Sequence, residues 1–185
     1  MMRVLKPLLL SALLLALAAP LAAQLGSRDP LNAQESDQLR EAAQEPEKRL
    51  KLLLQFARAR LATMEQLRGD SKLAAGRGRQ IHDLLEDFTK LMDELGDNID
   101  DYADRHADLR KPLKGVIQAD SEFQLKLRTI REQGPGAGAA KDEASDYAFA
   151  LQNALDSVNS NLDDSRQLLD QQETAFREAK ERKKK

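Results

Sequence analysis

The sequence has no cysteine and no tryptophan, and only two histidines, two tyrosines and five phenylalanines among 185 residues. Without cysteine there are no disulfides, no lipid-modified cysteine at a cut site, and no attached c-type haem, which needs Cys-x-x-Cys-His. Two histidines leave little acid–base chemistry near neutral pH, and no nucleophile–His–acid set is apparent. The chain therefore reads as a non-enzyme, with no catalytic residue and no cofactor to assign. β-branched residues are scarce, so there is little to build a sheet from.

Leucine, alanine, glutamine, arginine, aspartate and glutamate are abundant, and such a chain favours helix. The fold expected is all-α: an elongated antiparallel three- to four-helix bundle, coiled-coil-like. The first residues stand apart from it. Arg3 and Lys6 precede an apolar run from Leu8 to Ala19, then Pro20 and the small residues Ala22 and Ala23. That order is a secretory signal, so residues 1–23 are expected to be cleaved and the protein exported, to a periplasm or beyond the cell. No later stretch could span a bilayer. Residues 24–33 are read as a flexible lead-in, 34–180 as a single bundle domain and 181–185 as a basic tail.

Within the bundle a short helix is expected around residues 34–44. A second starts at Pro46, where a proline at the first helical position loses no hydrogen bond, and stops near Gly69. From Ile81, alternating steps of four and three give Leu85, Phe88, Met92, Leu95, Ile99, Tyr102, His106 and Leu109. That is a heptad seam. The same steps continue through Leu113, Val116, Asp120, Phe123, Leu127 and Ile130, past Pro112. Persistence of the phase predicts one long Pro-kinked helix over about 71–133, with a break at Lys111–Pro112 as the alternative. Gly134 to Ala140 is a connector. A last helix follows, with Ala144, Ala148, Leu151, Leu155, Val158, Leu162, Ser165, Leu169, Gln172 and Phe176 on its seam. "GRGR" at 76–79 lacks the Gly-Lys-Ser/Thr of a phosphate loop and reads as a hairpin corner.

Charge comes in blocks of alternating sign. Residues 46–79 carry nine basic against three acidic side chains, and 81–108 two against ten. Residues 110–131 carry six against two, 141–173 two against eight, and 174–185 six against two. Folded as hairpins, each acidic block is expected to face a basic one, with the basic end of the last helix reaching back toward Asp93 to Asp101. Exposed ion pairs stabilise by only ~0.2–1 kcal/mol, so leucine burial holds the fold and charge selects its register.

Asp97, Asp100, Asp101, Asp104 and Asp108 form an acidic stripe, with His106 nearby, and are the candidate metal ligands. A straight helix does not converge carboxylates as a calcium loop does, so a solvated or salt-bridged face is preferred. Lys180, Arg182, Lys183, Lys184 and Lys185 are the candidate contacts to a partner or an anionic envelope surface. They lack interleaved aromatics for base stacking, so no nucleic acid is expected. In composition and helix layout the chain is similar to small helical periplasmic proteins, Spy-type chaperones among them. It lacks their Leu-Thr-x-x-Gln repeats, so no residue carries over. The function expected is a structural or interaction protein of the bacterial cell envelope that binds a protein partner or itself. A metal- or ligand-binding bundle and a periplasmic chaperone or stress protein are the alternatives.

Overall fold

The computed structural model describes residues 28–139 and 143–184. The expected signal at 1–23, the start of the lead-in at 24–27 and Lys185 lie outside the described residues. The described residues form helices α1 (Ala33–Glu41), α2 (Pro46–Gly69), α3 (Arg77–Asp104), α4 (Arg110–Gln133) and α5 (Glu143–Arg182), with a 3-10 turn at Ser71–Leu73 and no strand.

Local chemistry sets most boundaries. α1 opens with a reciprocal cap: the Glu35 amide donates to Asn32 Oδ1 and the Asn32 amide to Glu35 Oε2, both at 2.9 Å. Pro46 occupies the first position of α2. Gly76 takes φ +71° ahead of α3, and Gly134 takes φ +68° after α4; glycine adopts such angles without strain. Arg28 and Pro30, in the segment expected as lead-in, bond to the bundle. The Arg28 guanidinium pairs with Asp83 and Asp87, and Arg60 donates to the Pro30 carbonyl at 2.6 Å.

The long kinked helix does not exist; the chain reverses between Asp104 and Arg110. The Phe88 and Phe123 rings meet edge-to-face with centroids 5.4 Å apart, whereas on one continuous rod they would stand about 50 Å apart. The break lies before Lys111–Pro112, not at it. His106 adopts φ +59°, the one positive-φ residue other than glycine among the described residues. Its amide donates to the Ala103 carbonyl (2.8 Å), and the Ala107 amide donates to the Tyr102 carbonyl (3.0 Å). This pair of bonds around a left-handed residue is a Schellman stop, here with histidine in place of the usual glycine. Pro112 falls in the first turn of α4, where backbone N–H groups have no helical acceptor anyway.

α2 packs on α3 and on α4, and α5 packs on the same two helices. α2–α3 and α4–α5 are antiparallel hairpins. Between the hairpins the neighbours run parallel: Glu47, Arg58 and Glu65 of α2 pair in order with Lys111, Glu122 and Lys126 of α4. The α3–α4 link therefore crosses the bundle diagonally. The stripe from Ile81 to Tyr102, and from Leu109 to Ile130, is buried apart from His106, which is exposed in the turn. Tyr147, Ala150, Leu151 and Ala154 carry the start of the α5 core, whereas Ala148 of the expected seam is exposed.

This arrangement corrects the expected charge register. Each hairpin does join a basic helix to an acidic one, as where Arg49 of α2 reaches Glu94 (2.7 Å) and Asn98 (2.6 Å) of α3. The parallel neighbours do the opposite. Acid-rich α3 lies along acid-rich α5, and base-rich α2 along base-rich α4. The basic end of α5 does not fold back toward Asp93 to Asp101. It runs past the bundle, exposed from Ala175 onward.

Candidate functional site

α3 and α5 approach closely because glycines and small polar residues line their seam. A Cβ on Gly96 would come within 2.9 Å of Asn161 Oδ1. With glycine there, Asn161 Nδ2 donates to the Met92 carbonyl at 2.7 Å. Four residues earlier on α5, Ser157 Oγ donates to Asp93 Oδ1 at 2.8 Å. Apart from Arg77–Glu143 at the opposite end of the seam, no ion pair joins α3 to α5 among the described residues.

Below Asp93 the two helices border an open groove of about 750 Å3. Asp93, Asp97, Asp100 and Asp104 enter it from α3 and Asp164 from α5, and no lysine, arginine or histidine lines it. Ser165, only 1% exposed, also lines it. The neighbouring hydroxyls are engaged: Ser157 donates to Asp93, Ser160 to Asp164 and, on α3, Thr89 to the Leu85 carbonyl. Among the described residues the Ser165 hydroxyl has no hydrogen-bond partner. An acceptor-rich trough with a free hydroxyl at its floor is built to receive donors.

The five acids of the stripe part company. Asp97, Asp100 and Asp104 face the groove. Asp101 pairs with Arg105 on the same helix at 2.7 Å. Asp108 lies beyond the helix end and binds Arg110 through its amide, Nε (2.8 Å) and Nη2 (2.6 Å). Those bonds hold its carboxyl down at about 2. His106 sits in the α3–α4 turn and does not line the groove. Among the described residues no three carboxylates or imidazoles converge as a metal site. Lys180 and Arg182 lie on the last turn of α5, with Lys183 and Lys184 just past it, all exposed.

Sequence reading missed Asp164, Ser157, Ser160, Asn161 and Ser165 as partners of the acid stripe. Their helical spacing was a usable signal: Ser157, Asn161, Asp164 and Gln171 form a polar row beside the apolar seam. What the sequence lacked was any sign that this row meets α3. No family model matches the chain, and no curated protein or solved structure matches it.

Proposed function

We propose that this is an exported, non-enzymatic interaction protein of the bacterial cell envelope, which holds a cationic segment of a protein partner in the α3–α5 groove. Export rests on the charged, apolar and small-residue order of residues 1–23. The observation that carries the binding reading is the placement of two acid-rich helices side by side. Like charges on neighbouring rods repel, and a fold indifferent to binding would be more stable with the blocks interleaved. Five carboxylates with no basic side chain among them leave a negative potential that a donor-rich helix or strand relieves, and that potential also steers its approach.

The test is fluorescence anisotropy of a labelled lysine–alanine helical peptide titrated with the purified protein. Binding is expected at low salt and to fade as salt rises. Asp97→Asn, Asp100→Asn and Asp104→Asn together should abolish it. Neutralising Asp156, Asp163 and Asp170 instead, outside the groove, should leave most of it. Equal losses in the two triple variants, or no binding at low salt by protein whose own basic end is reversed (Lys180→Glu, Arg182→Glu, Lys183→Glu, Lys184→Glu), would overturn the reading.

A further inference from the structure

We infer that the segment held in the groove is the basic end of α5 from a second copy of this chain, so that two copies form a closed antiparallel dimer. The inference rests on the groove reading above and names its occupant.

α5 overshoots the bundle. It runs parallel to α3 from the contact of Asp146 with Gly78 to that of Asn161 with Gly96, yet has 40 residues against 28 in α3. Near residue 172 it is still tied to the body: Gln172 accepts from the Leu109 amide (2.8 Å) and donates to the Ala107 carbonyl (3.0 Å), and Glu173 pairs with Lys114 at 2.8 Å. Arg110 stacks over Phe176 at 3.7 Å. Past that point, among the described residues, the basic side chains of α5 bond only along their own helix, Arg177 to Thr174 (3.0 Å) and Arg182 to Glu178, both exposed. Residues 174–185 hold six basic and two acidic side chains.

Because α5 continues unbroken to Arg182, this end is aimed away from its own groove and cannot fold into it. A second copy can supply what the first cannot. The groove runs about 17 Å along α3 between residues 93 and 104, and the exposed end of α5 over residues 175–182 runs about 11 Å, so the helix end fits within the trough. Groove and extension lie in line on one helix, with the groove leading toward the extension. A two-fold axis near residue 172 then lays each extension along the other copy's groove. Arg177, Lys180 and Arg182 meet the acids of α3, and the Ser165 hydroxyl gains a polar neighbour. The contact is isologous and closes at two copies, leaving no sticky end for a filament.

Sedimentation equilibrium tests this across salt concentration. The protein is expected to be dimeric at low salt and monomeric at high salt. Reversing the extension (Lys180→Glu, Arg182→Glu, Lys183→Glu, Lys184→Glu) should give a monomer, and so should reversing the groove (Asp97→Lys, Asp100→Lys, Asp104→Lys). Mixed together, the two variants should form a one-to-one heterodimer, since each reversed extension then meets a reversed groove and each native extension a native one. The extension variant lies outside the bundle, so its loss of dimer does not report on folding. A wild-type monomer at every salt, a dimer that survives reversal of the extension, or a mixture that stays monomeric would overturn the inference. If the wild type is monomeric but still binds the lysine–alanine peptide in the groove, the self-association falls and the groove reading stands.

Discussion

Two buried charges in this bundle are handled in opposite ways. At one end, Arg77 is fully buried and wholly used. Its Nε and Nη2 grip Glu143 at 3.0 and 2.9 Å, and Nη1 donates to the carbonyls of Leu67 (3.4 Å), Asp70 (3.2 Å) and Ala137 (2.8 Å). One side chain thus fastens the α2–α3 turn, the 134–139 connector and the start of α5. In the middle of the bundle, Asp120 is equally buried, on the α4 stripe between Val116 and Phe123. Neither of its carboxyl oxygens has a hydrogen-bond partner. Burial alone pushes its carboxyl up to about 7. A buried charge is tolerated when its site satisfies it; otherwise the group gives up its charge.

Breaking the satisfied site should have the largest effect. Arg77→Met leaves Glu143 buried without a counter-ion and takes the guanidinium donor from the Leu67 and Ala137 carbonyls, while the Asp70 carbonyl keeps the Leu73 amide. Urea unfolding is expected to register a loss of about 3–5 kcal/mol. Adding Glu143→Leu should return a good part of it, because the stranded carboxylate is then gone. An equal or greater loss in the double variant would mean that the carbonyl contacts, not the ion pair, dominate.

The unsatisfied site should show itself through pH. With its folded-state value raised from 3.8 to about 7, Asp120 holds a proton in the native state that the unfolded chain has released. Its favourable contribution is complete below about pH 4 and is lost as pH rises toward 7, by up to about 4 kcal/mol, then levels off. Asp120→Asn should remove this decline, so that the stability difference between wild type and variant changes steadily across that window. Asp120→Leu should be more stable than the wild type above pH 7. Parallel curves across pH 4 to 7 would show that the carboxyl reaches water or a partner.

A milder case sharpens the comparison. Glu35 is partly desolvated, which raises its carboxyl, but Arg60 at 2.6 and 2.9 Å and the Asn32 amide outweigh this and hold it below its usual value. Arg60→Ala is expected to lower stability by about 1–3 kcal/mol. The Glu35 contribution is present above its unfolded value and is lost as pH falls through the folded one, so the sign is opposite to that of Asp120. Smallest of all, Lys126→Ala removes an exposed pair with Glu65, both about two-fifths exposed. The unfolding midpoint should not move measurably.

On α3 and α4 the buried side chains were legible in the heptad seam, since leucine spacing reports the core whichever way a helix points; on α5 the seam failed at both ends, where Ala148 and Phe176 are exposed. For the same reason the seam hid the reversal at residues 105–109. Leu109 and Leu113 face the same core on a returning helix as they would on a continuing one. The stop itself was hard to see because a histidine holds the left-handed position where glycine is the usual marker. Gln172, an oddity on an apolar seam, turns out to close the exposed backbone of that turn. The groove was half legible. The α3 acids stood out, but alternating charge blocks fit either set of helix neighbours, and only the diagonal link decides between them. Asp120 was visible as a polar insertion, and its want of a partner was not.

The diagonal link also bears on how the chain assembles. Each hairpin joins segments close in sequence, so its strips of leucine can meet early and quickly. The parallel faces, and the Phe88–Phe123 contact between the hairpins, join segments far apart and must form once both arms exist. Substitutions along those faces should then mainly hasten unfolding, while substitutions inside a hairpin should mainly slow refolding.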